Sequence, residues 1–231
     1  MNILNFGVGF PFKRLNKSNV VGSSFKILGS SSSGNAALLR TGEVNILLDA
    51  GFSCKKLQSL LKNEGISSEQ LDGIFLTHEH NDHCAGLRGL SKLGNLPIFA
   101  NRDTIQAIQP KLPRRPNWKI FETGKTFTFK SIKIHPFSVP HDAYDPVGFL
   151  FEWGKDDLFD PPNSLAWVTD LGFVPSLVRE RIRQAKILVI ESNYCSKLLE
   201  EDEKRPWSLK QRIRSRYGHL SNQTTFELLE S

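Results

Sequence analysis

Cysteine and long apolar runs are both scarce in this sequence. The three cysteines (Cys54, Cys84 and Cys195) are odd in number and widely spaced, which argues against a disulfide framework and predicts a reducing, cytoplasmic compartment. No stretch approaches the roughly 18 consecutive apolar residues that a membrane span needs. The N-terminal residues also lack a hydrophobic core followed by a small-residue cleavage site, so we expect no signal peptide.

Composition and charge indicate a globular protein. Of the 231 residues, 39% are hydrophobic and 23% are charged, which suits one large domain. The formal net charge of +6 is compatible with a polyanionic partner without requiring one.

Strand and helix patterns alternate from residue 25 to the end of the sequence. Ser53–Glu64 has helical spacing of its leucines, and we expect a second helix over Cys84–Leu93. The polar, proline-containing stretch Lys155–Ser164 predicts a surface loop. Because no long linker interrupts the alternation, we predict one α/β domain over residues 25–231, preceded by an N-terminal extension over residues 1–24.

Histidine is concentrated in one short segment. Three of the six histidines and one aspartate lie between His78 and His83, directly after the apolar run Gly73–Leu76. Imidazole is the commonest metal ligand, and carboxylate complements it for a divalent cation. In an extended chain His78 and His80 point the same way and can bind one ion, while a turn would direct Asp82 and His83 at a second. The segment therefore predicts part of a two-metal hydrolytic site.

Three other interpretations of this segment are possible in principle, and the sequence argues against two of them. It could be a solvated surface cluster with no ligand role. A zinc-protease helix would need histidine at the position of Asp82, and a di-iron flavoprotein site would have glutamate in place of His80. Written as HxHxDH, the segment resembles the hallmark motif of the metallo-β-lactamase superfamily. That resemblance implies an α/β fold, the four-layer αββα sandwich.

The same resemblance implies the remaining metal ligands. It assigns His78, His80 and His141 to one ion and Asp82, His83 and His219 to the other, with Asp170 as the bridging carboxylate. Two divalent ions, zinc or manganese, would activate a hydroxide for attack on phosphorus or on a carbonyl carbon. His135 is left over, and we interpret it as structural.

Further residues complete the predicted site. Asp82 is also expected to accept a proton from the nucleophile. Asp49 and Glu191 each end a predicted strand, and we expect them to orient ligating histidines. A basic run without acids precedes His219 within the helical pattern Trp207–Tyr217; it is either a solvated face or a surface that binds the phosphate backbone. Its residues are Lys210, Arg212, Arg214 and Arg216.

Several other motifs resemble a single family. They run from about residue 25 to the end and include Leu48-Asp49-Ala50-Gly51, His141-Asp142-Ala143, Glu191-Ser192-Asn193, Pro206–Lys210 and Gly218–Asn222. They are similar to the motifs of the bacterial YycJ/WalJ family. This resemblance implies a cytoplasmic, metal-dependent 5′→3′ DNA exonuclease with a role in DNA repair, which binds DNA ends without reading sequence.

The sequence departs from that family at two points. Tyr194-Cys195 follows the Glu-Ser-Asn triplet where family members commonly have His-Asp. The family also continues past the final metal histidine into another helix and a closing strand, so we expect a fold without its last strand. Two alternatives stay open: a small-molecule thioesterase or lactonase of the same fold, and a shortened member that binds metal or DNA without catalysis.

Overall fold

The computed structural model describes residues 2–4, 22–42, 44–155 and 161–230. The chain divides into two compact units, and each contains one six-stranded sheet. We call Arg14–Thr123 with Ala143–Asp145 the amino unit, and the remainder of the chain the carboxyl unit. The first strand, β1 (Asn2–Leu4), belongs to the carboxyl unit.

The sheet of the amino unit has the order β2-β3-β4-β5-β6-β7. Strands β2 to β4 are antiparallel, and β4 to β7 are parallel neighbours joined by crossovers. The strands are β2 (Ser24–Gly29), β3 (Ala36–Thr41), β4 (Val44–Leu48), β5 (Gly73–Phe75), β6 (Pro97–Ala100) and β7 (Asn117–Ile120). The helices are α1 (Cys54–Asn63), α2 (Asn81–Cys84), α3 (Leu87–Leu90) and α4 (Arg102–Ile108), with 3-10 turns at Ser68–Gln70 and Gln109–Lys111.

Helix α1 illustrates how the sequence builds this unit. The Ser53 side chain accepts a hydrogen bond from the Lys56 N–H at 3.3 Å and so caps the first turn. Leu57 and Leu61, one turn apart, are fully buried against the sheet core, and each such burial stabilises the fold by about 1.5–3 kcal/mol. The chain leaves the helix through Gly65, whose φ of +75° suits glycine.

The sheet of the carboxyl unit has the order β1-β12-β11-β10-β9-β8. The strands β8 to β11 pair antiparallel, whereas β11, β12 and β1 are parallel. The further strands are β8 (Phe127–Phe129), β9 (Ile132–Ser138), β10 (Val147–Trp153), β11 (Asn163–Val168) and β12 (Ile187–Ile190). The helices are α5 (Ser176–Arg183), α6 (Ser196–Glu201), α7 (Trp207–Arg214) and α8 (Asn222–Glu230). Val178 and Ile182 of α5 are buried in the core with β11 and β12.

The structure confirms the predicted alternation and corrects several boundaries. In place of the expected helix over Cys84–Leu93, α2 ends at Cys84 and a separate short helix, α3, covers Leu87–Leu90. They meet at Gly86, where a Cβ atom would lie 2.4 Å from Leu57 Cδ1 and 2.6 Å from the Phe52 carbonyl oxygen. The helix expected over Trp207–Tyr217 ends at Arg214. Helix α6 was not predicted, and most of β7 was missed.

Three sequence predictions stay predictions. Residues 5–21, where most of the proposed N-terminal extension falls, and residues 156–160 of the proposed surface loop lie outside the described residues. Asn2–Leu4 pair with β12, and Asn163–Ser164 begin β11. A missing last strand is likewise untested. None of the described helices is both long enough and apolar enough to cross a membrane.

Candidate metal centre

The predicted histidine cluster lies at the carboxyl end of β5 in the amino unit. His78 is buried, and its ring centroid is 4.6 Å from that of His80 and 4.2 Å from that of His83. His80 precedes α2, while Asp82 and His83 lie in its single turn. The short helix therefore supplies the turn that the sequence required, and it brings three imidazoles together.

Asp49 fixes the orientation of His83. Its carboxylate accepts hydrogen bonds from the Thr77 N–H at 2.8 Å, from the Thr77 hydroxyl at 3.0 Å and from His83 Nδ1 at 2.9 Å. Asp49 has a φ of 55°, an uncommon value for a residue with a side chain, and it is fully buried. Because Nδ1 donates to the carboxylate, Nε2 of His83 carries the lone pair that a metal would use. Asp49 thus lies where the sequence analysis expected an orienting acid.

Thr77 and Asn35 also shape this cluster, and the sequence analysis missed both. The Thr77 hydroxyl lies 3.0 Å from His78 Nδ1 as well as from Asp49. The Asn35 side-chain amide lies 3.2 Å from Asp82 Oδ2 and 3.0 Å from His83 Nε2. The Asn35 backbone N–H also donates to the Asp82 carbonyl at 2.7 Å. The sequence signal for Thr77 is its position directly before His78, and Asn35 follows the Gly/Ser-rich stretch Gly29–Gly34.

The carboxyl unit brings together the other three proposed ligands. His141, Asp170 and His219 each offer a ligand atom, and these atoms all lie within 4.8 Å of one another. Asp170 follows β11 with a φ of 52°, which parallels Asp49 after β4. The ring centroids of His141 and His219 are 5.2 Å apart. The structure therefore brings together three residues of which the first and the last, His141 and His219, are 78 positions apart in the sequence.

Hydrogen bonds to Nδ1 orient both of these histidines. His141 Nδ1 lies 3.1 Å from the Gly218 carbonyl oxygen, and His219 Nδ1 lies 2.5 Å from Glu191 Oε1. Both rings therefore direct Nε2 away from these partners, as metal-ligating histidines do. His141 Nε2 lies 3.2 Å from Asp142 Oδ1, a neighbour that the sequence analysis did not assign to the site.

Electrostatics differ between the two imidazoles. Burial lowers the pKa of His141 despite the nearby carboxylates Asp170 and Asp142. Burial also acts to lower the pKa of His219, but the hydrogen bond and charge of Glu191, with Asp170, more than offset it and raise that pKa. The lowered pKa favours the neutral form of His141, which is the form that ligates a metal, whereas the raised pKa of His219 favours its protonated form.

The donor sets fit a divalent metal ion. Imidazole nitrogens and carboxylate oxygens together suit zinc, manganese and similar ions. In each unit at least one imidazole has its Nδ1 held by a buried carboxylate, which leaves Nε2 for coordination. The His/Asp clusters are thus chemically suited to hold such an ion.

The four residues of the predicted basic run make different contacts. Lys210 is buried, and its ammonium donates to the Glu200 carbonyl at 2.8 Å, so we remove it from the predicted phosphate-binding set. Arg212 Nε lies 2.5 Å from Asp142 Oδ2, and Arg214 lies 3.4 Å from Glu200 Oε2. The Arg216 guanidinium lies 4.2 Å from the centroid of the Phe173 ring.

His135 has a structural environment, as the sequence analysis interpreted it. Its Nε2 lies 2.6 Å from Glu152 Oε2, and its Nδ1 lies 2.8 Å from the Thr126 hydroxyl. These contacts link β9 to β10 and to the residue before β8.

Comparisons with known proteins extend these findings. The family model for the Beta-lactamase superfamily domain matches residues 44–231. Exodeoxyribonuclease YycJ of Bacillus anthracis is 35% identical over 205 residues, which cover 88% of this chain and 75% of that protein. Exodeoxyribonuclease WalJ of Streptococcus pneumoniae is 38% identical over 213 residues, which cover 90% of this chain and 76% of that protein.

Solved structures share the architecture. The metallo-beta-lactamase fold protein YhfI from Bacillus subtilis matches with a TM-score of 0.64 at 19% identity, covering 90% of this chain and 80% of its own. Zn(2+)-bound PqqB from Methylobacterium extorquens matches with a TM-score of 0.65 at 16% identity, covering 85% of this chain and 80% of its own. These similarities confirm the predicted fold class.

Proposed function

We propose that this chain, which belongs to the beta-lactamase superfamily and within it to the exodeoxyribonuclease YycJ/WalJ family, is a metal-dependent hydrolase of DNA phosphodiester bonds. Its relatives of 35% and 38% identity are both named exodeoxyribonucleases. The proposal includes the ligand assignment set out from the sequence, two ions per chain, zinc or manganese as those ions, 5′→3′ polarity, and action in the cytoplasm.

One observation carries the proposal furthest. Each unit contains a buried carboxylate that holds a histidine by its Nδ1 atom, Asp49 with His83 at 2.9 Å and Glu191 with His219 at 2.5 Å. A buried acid is costly unless it is paired, and this pairing is the one that prepares imidazoles for coordination. A hydrolytic metal site uses this pairing to fix the orientation of its histidines.

The chain's own residues have definable tasks in such a reaction. Bound divalent ions would supply an acidified water and neutralise charge on the phosphate. Asp49 and Glu191 keep a proton on Nδ1 and so keep Nε2 available. Asp82, with Oδ2 next to the Asn35 amide at 3.2 Å, is the group that we propose accepts the proton of the attacking water.

The substrate class follows from charge and from the relatives. The exposed Arg216 stacks on Phe173 and has no carboxylate partner among the described residues, so its charge is available for a phosphate. Arg212 and Arg214 are exposed as well but are each paired with a carboxylate. Arginines that contact phosphates give affinity without sequence readout, which suits an enzyme that degrades DNA from an end.

A nuclease assay tests the proposal. Purified protein loaded with Zn²⁺ or Mn²⁺ is expected to shorten 5′-phosphorylated duplex DNA, and Asp170→Ala is expected to lower the rate by at least a hundredfold. Asp202→Ala is the matched control, because Asp202 lies in the same unit and pairs with Arg205. Cleavage of thioesters or lactones with none of DNA would support the small-molecule alternative. Bound metal without cleavage of any phosphodiester would support the non-catalytic one.

A further inference from the structure

The segment Ala143–Asp145 follows His141-Asp142 directly in sequence and belongs to the amino unit. The Tyr144 N–H donates to Glu79 Oε1 at 3.1 Å. The Asn101 side-chain amide donates to the Asp145 carbonyl at 2.6 Å, and the Thr123 hydroxyl donates to the Asp145 carboxylate at 2.7 Å. Three hydrogen bonds on two consecutive residues are enough to fix the path of this short turn.

The anchors of this turn are themselves fixed. Asn101 is buried and caps α4 by accepting from the Thr104 N–H at 2.9 Å. Glu79 is buried between His78 and His80, and its backbone carbonyl accepts from Cys84 Sγ at 3.4 Å. The backbone of Tyr144 is therefore tied to the same loop that carries the histidine cluster of this unit.

The side chain of Tyr144, in contrast to its hydrogen-bonded backbone, is exposed to solvent. It is 77% exposed, the largest value among the exposed large hydrophobic side chains of the described residues. An aromatic ring contributes stability mainly by being buried, so this ring adds little to the fold. A fixed backbone that presents an exposed ring is a typical arrangement of a binding residue, because the backbone is already ordered and the ring has only two χ angles to fix on contact.

We propose that the ring of Tyr144 stacks on a nucleobase at the end of the DNA strand and so positions that end for cleavage. The inference rests on the proposed function and names the part of the substrate that this residue recognises. Stacking on an aromatic ring is tolerant of base identity, because every base has a π-face. A contact of this kind therefore suits an exonuclease, which meets all four bases in turn.

The exposed aromatic side chain of Phe226 fits this role less well. Phe226 of α8 is 54% exposed, but Glu227 is its neighbour and Glu230 lies four residues on, on the same helix face. Those carboxylates would repel a DNA strand. Phe226 therefore provides a matched control for the loss of an exposed aromatic ring.

The experiment compares two duplexes that differ at one position, the 5′-terminal nucleotide, which either carries its base or is abasic. Wild-type protein is expected to bind and cleave the base-bearing end about tenfold better than the abasic one. Tyr144→Ala is expected to lose that preference by losing about tenfold on the base-bearing end alone. Tyr144→Phe and Phe226→Ala are expected to keep it.

Two readouts separate this inference from the proposed function. Cleavage rates report the function, and anisotropy of fluorescein-labelled DNA whose terminal linkages are cleavage-resistant phosphorothioates, measured with metal present, reports binding without turnover. Cleavage by a Tyr144→Ala protein that still prefers the base-bearing end would overturn the stacking inference alone, as would an equal loss on both ends. Binding with the expected preference but without any cleavage in metal would overturn the proposed function alone. Absence of both binding and cleavage would overturn both.

Discussion

Glu191 and His219 form a buried pair in which Oε1 of the acid lies 2.5 Å from Nδ1 of the imidazole. The second oxygen of Glu191 accepts from the backbone N–H groups of Leu171 at 3.1 Å and Leu220 at 3.2 Å. One carboxylate thus holds the ring of His219, the residue after it and the residue after Asp170. Glu191 is therefore a positioning residue for two proposed ligands at once.

Replacing Glu191 by glutamine should weaken metal binding. The amide cannot accept from His219 and from both backbone groups together, so the ring loses its fixed orientation and its added basicity. We expect the affinity for Zn²⁺, measured by competition with a chromogenic chelator, to fall roughly 10- to 100-fold. Glu200→Gln is the control, because the Glu200 side chain is exposed and its carboxylate pairs with Arg214 rather than with a histidine. Wild-type affinity in Glu191→Gln would contradict the assigned role.

The hydroxyl of Thr77 should contribute to both stability and metal affinity. Thr77→Val keeps the shape of the side chain but removes the hydrogen bonds of the hydroxyl to Asp49 and His78. The buried Asp49 carboxylate and the buried His78 ring then each have one hydrogen bond fewer. We expect a loss of about 1–3 kcal/mol in the free energy of unfolding, measured with urea. Thr41→Val is a matched control, since the Thr41 hydroxyl is buried without a hydrogen-bond partner among the described residues. A cost at Thr41 equal to that at Thr77 would refute the argument.

Gly51 should be irreplaceable for steric reasons. A Cβ atom there would lie 1.6 Å from the Asp82 carbonyl oxygen and 2.5 Å from the Asn35 nitrogen. Gly51→Ala must therefore displace the backbone that carries Asp82, and we expect about 3 kcal/mol of destabilisation or more. Gly94→Ala meets no atom within 4 Å and should change stability by less than about 1 kcal/mol. Thermal unfolding of the two variants side by side provides the measurement.

The sequence predicted the strands, the histidine cluster and two orienting acids, because these depend on local patterns. Asp49 and Glu191 end apolar strands, and strand ends are where such sheets carry polar function. Thr77 and Asn35 escaped prediction because their partners come from other strands and from α2. Nothing in the spacing of residues indicates that Asn35 would contact Asp82, 47 positions away.

Lys210 shows a different limit of sequence reasoning. It lies in an acid-free run, and such runs are usually exposed. Its ammonium is nevertheless buried and bonded to the Glu200 carbonyl. A long side chain can bury its methylenes and still satisfy its charge on a backbone oxygen, and composition alone does not reveal this.

Arg216 should therefore contribute to the affinity for DNA, whereas Lys210 should not. Arg216→Gln is expected to weaken DNA binding and to reduce the slope of log K against log salt by about 1. Lys210→Gln is expected to leave that slope unchanged while lowering the melting temperature. Fluorescence anisotropy at salt concentrations between about 50 and 200 mM measures the slope. Equal slopes for wild type and Arg216→Gln would remove Arg216 from the proposed DNA-binding surface.

The Glu152–His135 pair should make stability depend on pH at the acid end. Burial acts to raise the pKa of Glu152, but the hydrogen bond and charge of His135, with Lys133, lower it overall. Because the folded state has the lower pKa, ionised Glu152 stabilises the protein above the unfolded value of about 4.3. That contribution is lost as pH falls through the folded pKa.

Glu152→Gln removes this contribution and should be less stable than wild type at pH 7. Since the pair is partly exposed to solvent, we expect a difference of only about 0.5 kcal/mol in the free energy of unfolding. The difference should shrink toward zero as the pH falls below the unfolded value of about 4.3 and through the lower folded pKa of Glu152. Urea titrations from neutral to acid pH measure it, and Glu203→Gln, an exposed residue with no ion pair in the described part of the chain, is the control. A difference that stays constant across this pH range would show that the charge of Glu152 contributes nothing.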